Sequence, residues 1–232
     1  MAQGTDCIIG VDLGGTNLQA GVLATDGRLT GRAHARTPRH PTLDAVVDRI
    51  VQSIDEALRA VELTRDDIDA VGVAAPGAVE HDSGRVIRAP NLGWEDAPLR
   101  DALRHALDRP VAVMNDVDAA ALGEARHGAA RDGGRAILGV WVGTGVGGGL
   151  ILHDQLWTGT HHSVAEIGQT TIEPDGPADA RILEAFSSRT GMSRLVARYA
   201  TYFPESTLPD AMDPDTGIVP SEAVQSAWHQ GD

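Results

Sequence analysis

The chain has a single cysteine, Cys7, no lysine, and only eight aromatic residues (4 Trp, 2 Tyr and 2 Phe) among 232. One cysteine cannot form an intramolecular disulfide, so a small disulfide-stapled scaffold is excluded. All 19 basic residues are arginine, against 33 acidic ones, and the net charge of −14 disfavours non-specific binding to nucleic-acid backbones or anionic membranes. Long apolar runs are missing too. The longest uncharged stretch, residues 136–152, holds 17 residues and six glycines, whereas a membrane span needs about 20 mostly apolar residues. The N-terminus has no basic segment followed by an apolar one, so a reducing, cytoplasmic location is expected. With 42% hydrophobic residues the chain has material for one sizeable domain or two small ones.

Apolar runs over 7–11 and 18–23 flank Asp12-Leu13-Gly14-Gly15-Thr16 and read as a β-hairpin with a glycine-rich connection. From Thr42 to Val61 apolar residues recur at steps of three and four, the period of an amphipathic helix capped by Thr42. A strand over 70–75 stops at Pro76-Gly77, a hairpin turns around His81-Asp82-Ser83-Gly84, and a helix covers 98–108. The strand 111–114 then delivers Asn115-Asp116 into an alanine-rich helix over 117–126. Strand, glycine turn and strand recur over 136–142, 143–148 and 149–152, as if one βββαβα unit were used twice. Two lobes, residues 1–115 and 116–232, with a ligand cleft between them are therefore expected. After Ile172 only helical patterns and a loop (205–220) are found. The second lobe is thus expected to be incomplete, the chain a truncated form, and one sheet edge unpaired.

Asp12 and the turn Gly14-Gly15-Thr16 could hold phosphate through backbone N–H groups and a hydroxyl, with Asp12 on a magnesium ion; the same text also suits an ordinary hairpin. Gly143-Thr144-Gly145-Val146-Gly147-Gly148 fits the Gly-x-Gly-x-x-Gly dinucleotide pattern, but that fingerprint requires a following helix. A strand follows here, leaving a phosphate-gripping turn. Asp116 is either the cap of the helix that follows or a general base that takes a proton from a substrate hydroxyl, a task an ordinary ionised aspartate can perform in phosphoryl transfer. His161-His162 with Glu166 could suggest zinc, but adjacent histidines do not easily face one ion.

Six segments taken together resemble the ROK family, which comprises repressors and sugar kinases of the actin-like ATPase (ribonuclease H-like) fold, an α/β class. They are Gly10 to Thr16, Gly72-Val73-Ala74-Ala75-Pro76-Gly77, Ala89-Pro90-Asn91-Leu92-Gly93-Trp94, Asn115 to Ala120, Gly143 to Gly149 and Glu166-Ile167-Gly168. The resemblance implies ATP-dependent phosphorylation of a hexose, glucose by default, or of an N-acetylhexosamine. It implies that Asp12, Gly14, Gly15, Thr16, Thr144, Gly145, Gly147 and Gly148 hold ATP and Mg²⁺. Gly77, Asn91, Asn115, Glu166, Gln169 and Glu184 would hold the sugar, and Asp116 would be the catalytic base. The expected partners are a small sugar and ATP, without nucleic acid or membrane, and a homodimer is left open. Many family members bind a structural zinc through one histidine and three cysteines; Gln169, Asp175, Pro177 and Ile182 stand at those positions, so no zinc is expected. Packing of Ile172, Ile182 and Leu183 is then expected to hold that loop. The rival reading is a sugar-sensing regulator or pseudokinase of the same fold.

Overall fold

The computed structural model describes residues 7–39, 41–133, 135–160, 163–177, 180–203, 205–214 and 216–231. His161 and His162 lie outside them. The chain forms two compact units, one running to Gly123 and taking in Gly159–Ser163, the other formed by Glu124–Thr158 and the chain from Val164.

The first unit carries β1 (Cys7–Leu13), β2 (Asn17–Leu23), β3 (Leu29–Arg36), α1 (Leu43–Arg59), β4 (Ile68–Ala75), β5 (Ala78–Glu80), β6 (Arg85–Ala89), β7 (Trp94–Ala97), α2 (Leu99–Leu107), β8 (Val111–Asn115) and the start of α3 (Asp116–His127). Its main sheet has the order β3-β2-β1-β4-β8, with the first three strands antiparallel and β1, β4 and β8 mutually parallel. Alternation along each strand divides the sheet into two faces. Cys7, Ile9, Val11 and Leu13 of β1 join Val71 and Val73 of β4 in one core with Ile50 and Ile54 of α1 and Leu99 and Leu103 of α2. Thr42 caps α1 as expected, accepting from the Ala45 amide at 3.2 Å. On the opposite face the small residues Gly10, Gly21, Gly72, Ala74 and Ala112, flanked by Leu23, Leu29 and Met114, line a groove of about 450 Å³ that also holds Asp12. Parallel pairing gathers the carboxyl ends of β1, β4 and β8 in one place, the customary location of an α/β site. Strands β5, β6 and β7 form a separate small antiparallel sheet.

The second unit holds β9 (Ala136–Val142), β10 (Val146–Leu152), β11 (Gln155–Leu156), α4 (Leu183–Ser187), α5 (Arg189–Ala200) and α6 (Ser221–Gln230). The sheet order is β11-β10-β9. β10 and β11 are joined by His153 and Asp154, both at positive φ (50° and 63°), the backbone of a type I′ hairpin turn. Among the described residues β9 pairs only with β10, and Leu138, Val140 and Val142 are exposed. None of the described helices is long and apolar enough to cross a membrane.

Two expectations need correction. The second glycine turn does not extend over 143–148: Gly147 and Gly148 are strand residues of β10, opposite Trp141 and Val140, and the turn proper is Gly143-Thr144-Gly145. Glycine disfavours strands, which made the segment read as loop; Gly148 is accommodated because a Cβ there would run into the Ala165 carbonyl oxygen. Ile172 does not pack the loop after Gly168, being 48% exposed. Backbone bonds hold it instead: the Ile172 amide donates to the Arg181 carbonyl at 2.8 Å, the Leu183 amide to that of Thr170 at 2.8 Å, and Thr171 bridges to Ile182.

Candidate active site

At the end of β1 the Gly14 amide donates to the Asn17 carbonyl at 2.8 Å, closing a tight turn. Thr37, buried just beyond β3, fixes this turn from behind. Its hydroxyl donates to the Gly14 carbonyl at 2.7 Å and its amide to that of Thr16 at 2.9 Å. Two carbonyls are thereby satisfied within the protein, while Gly15 and Thr16 stay exposed. Gly15 sits so close to Asn91 that a Cβ on it would lie 3.1 Å from the Asn91 Cβ. Asn91 is presented on a short 3-10 turn (Pro90–Leu92) anchored by buried Leu92 and Trp94, whose indole donates to the Pro41 carbonyl at 3.0 Å. The structure therefore brings the first phosphate-turn candidate and one sugar-ligand candidate together.

Asn115, the last residue of β8, organises the next part. Its Nδ2 donates to the Gly77 carbonyl at 2.8 Å and to Asp116 Oδ1 at 3.0 Å; its Oδ1 accepts from the amides of Val117 (2.9 Å) and Asp118 (3.0 Å). Asn115 thus caps α3, the role left open for Asp116. Both amide donors and both acceptor positions are in use, so a direct bond to a sugar would have to replace one of them. Gly77 adopts φ +88°, and a Cβ there would collide with the Arg88 carbonyl oxygen, so the chain can pass this point only as glycine.

Asp116 is half-buried, and its Oδ1 accepts from Asn115 and from the Val117 amide at 2.9 Å. Burial pushes its carboxyl above the ordinary aspartate range, and the charge of Asp12 pushes in the same direction. Desolvation likewise raises the Asp12 carboxyl, although the residue as a whole keeps contact with solvent. Two partly desolvated carboxylates, one of which feels the charge of the other, also attract a divalent cation with oxygen preference, so the donor chemistry fits Mg²⁺.

In the second unit the Gly143 amide donates to the Gly145 carbonyl at 2.8 Å, and the Arg189 amide, opening α5, donates to the Gly143 carbonyl at 2.8 Å. The buried Ser188 hydroxyl caps α5 by accepting from the Gly191 amide at 2.9 Å. A helix N-terminus and a guanidinium thus adjoin the turn, with Arg189 Nη2 3.5 Å from the Thr144 hydroxyl. Glu184 is seated on the same turn, Oε2 accepting from the Val146 amide at 2.7 Å and lying 2.5 Å from where a Cβ of Gly145 would be. A residue expected beside the sugar and a turn expected beside phosphate are therefore in direct contact.

Gln169 is exposed at the end of a short 3-10 turn (Ile167–Gln169), and Glu166 is exposed immediately before it. Ala165, just before it, has φ +63°. An L-residue in this left-handed region costs about 1–2 kcal/mol, whereas glycine is free to adopt it but loses roughly 0.5–1 kcal/mol in chain entropy. Ala165→Gly is therefore expected to stabilise the second unit by about 0.5–1 kcal/mol, read as a rise in the urea midpoint. A fall in the midpoint would show that the backbone here carries no strain.

Sequence reasoning missed Thr37 and Arg189. Neither belongs to a motif, and each reaches its turn only through the fold.

The ROK family profile matches residues 8–212. A glucokinase of Halalkalibacterium halodurans is 34% identical over 230 residues, covering 97% of this chain and 69% of its own. A glucokinase of Streptomyces coelicolor is 36% identical over 168 residues, covering 72% of this chain and 50% of its own. The solved structure of a ROK family glucokinase from Streptomyces griseus, in complex with glucose and AMPPNP, has a TM-score of 0.78 at 32% identity, covering 97% of this chain and 72% of that one. The chain thus spans from 50% to 72% of the length of these relatives. Their actin-like ATPase fold is the α/β class expected from the motifs. Motif order, sheet topology and these matches agree: the chain belongs to the ROK family.

Proposed function

We propose that the chain phosphorylates a sugar, transferring the γ-phosphoryl group of ATP to a hydroxyl of a hexose, glucose by default, or of an N-acetylhexosamine. The observation that carries this reading is Asp116, a half-buried carboxylate at the carboxyl end of a parallel strand, with one oxygen pinned and its proton affinity raised. In phosphoryl transfer the base orients the attacking hydroxyl and accepts its proton late. A carboxylate whose pKa moves toward the working pH performs that step better than an exposed one.

The remaining roles follow the same reading. Gly14, Gly15 and Thr16 in the first unit, and Thr144 and Gly145 in the second, offer turns that can grip phosphate oxygens; Gly147 and Gly148 support the second turn as strand residues. Asn91, Gly77, Glu166, Gln169 and Glu184 are the sugar ligands, with Asn115 acting through the Gly77 carbonyl and Asp116. Asp12 would hold Mg²⁺, which when bound neutralises charge on the phosphoryl oxygens. The relative from Streptomyces griseus, solved with glucose and AMPPNP, supports this assignment of substrates. No structural zinc is expected, and elemental analysis finding about one tightly held zinc per chain would refute that.

The test is a coupled assay of ATP turnover against a panel of hexoses and N-acetylhexosamines. Turnover with one or two of them is expected. Calorimetric sugar binding without any turnover would instead assign the chain to the sugar-sensing regulators.

A further inference from the structure

Strand β5 is only three residues long, yet it is tied at both ends to the residues that flank Asp116. At its start the Gly77 carbonyl accepts from Asn115 Nδ2 at 2.8 Å. Just past its end, His81 places Nε2 3.2 Å from Asp118 Oδ2. Asn115 and Asp118 are themselves joined, the Asp118 amide donating to Asn115 Oδ1 at 3.0 Å. A closed ring results, running from Asn115 through Gly77, β5 and His81 to Asp118 and back, and it brackets Asp116 in sequence.

We propose that His81, acting through Asp118, is a positioning residue for Asp116, fixing the rotation of the first turn of α3 and so the direction in which the Asp116 carboxylate points. The proposal rests on the reading of Asp116 as the base. The His81 and Asp118 side chains are only 21% and 15% exposed, so their attraction is screened far less than that of a surface pair. Nε2 approaches Oδ2 without the alignment of a hydrogen bond, so the link between them is a short polar contact. Asp118 stands two residues from Asp116 within one turn of helix, and any rotation of that turn moves both. Misplacing a reacting group by about 1 Å can cost on the order of 10²-fold in rate, so partial loosening is expected to cost about 10-fold.

The test is steady-state kinetics of the full chain with the sugar it turns over best. His81→Ala and Asp118→Ala should each lower kcat about 10-fold with KM for ATP and sugar within about 2-fold. The double variant should be no slower than the slower single one, because both remove the same link. His81→Gln, which keeps an N–H at a similar reach, should recover most of the rate. Additive losses, a loss carried by KM, or no recovery with glutamine would overturn the proposal. Amide hydrogen exchange gives a readout that does not need turnover: the Val117 and Asp118 amides should exchange about 10-fold faster in His81→Ala than in the parent, at unchanged global stability. Unchanged exchange overturns the positioning role even in a chain without kinase activity, which separates failure here from failure of the kinase reading.

Discussion

Replacing Asp116 by asparagine is expected to lower kcat by about 10²–10⁴-fold, to leave sugar affinity near its parent value, and to raise thermal stability at neutral pH. Asparagine keeps an oxygen where Oδ1 accepts from Asn115 and the Val117 amide, so the start of α3 should survive the exchange. What disappears is the proton acceptor. The stability gain follows from linkage: a carboxyl whose folded pKa is raised contributes stability that is fully present below its unfolded pKa and lost as pH climbs through the folded one. Asp116 is raised by burial and by Asp12, so at neutral pH its ionised form opposes folding. The advantage of the asparagine variant should therefore shrink as pH is lowered through the carboxylate range. Melting curves across pH, set beside kcat, check both halves. A variant with near-normal kcat would remove Asp116 from the chemistry altogether, since Asn115 already caps the helix.

Gly77→Ala should be the most damaging single methyl group in the first unit, costing about 3–5 kcal/mol. Two penalties coincide. The residue sits at φ +88°, where an L side chain is strained, and its Cβ would meet backbone rather than a flexible side chain: the Arg88 carbonyl oxygen and, at 2.9 Å, the Ala89 Cα. Relief requires β6 to move away from the start of β5, which would pull the Gly77 carbonyl from Asn115 and unsettle Asp116. Chemical denaturation should show the destabilisation, and kcat should fall with it. An alanine variant that folds within about 1 kcal/mol of the parent would mean that the hairpin has slack the structure does not show.

Local patterns were readable from the sequence, while contacts between distant segments were not. The Thr42 cap and the three-and-four spacing of Val46, Val47, Ile50 and Ile54 announce α1 because helix period and capping are local properties. Asn115-Asp116 could be placed at a strand end for the same reason, although which of the two residues caps α3 could be decided only from the hydrogen bonds. Thr37 reaches Gly14 across 23 residues and Glu184 reaches the Val146 amide across 38. No periodicity encodes such pairings. The glycines of β10 misled because their low strand propensity was outweighed by a tertiary demand, the close approach of Ala165 to Gly148.

The single thiol offers a different use of the fold. Cys7 opens β1, is 3% exposed, and lies in the core of the first unit, where its backbone pairs with Ile68 of β4. A thiol-reactive probe can reach it only when that core opens, and no second cysteine exists to confuse the signal. The pace of its alkylation is then a clock for opening of the first unit alone, which an unmodified chain carries without any engineered label. Ligand binding that closes the sheet should slow the clock, so a mass shift of one adduct per chain can report binding where a melting curve would average over both units.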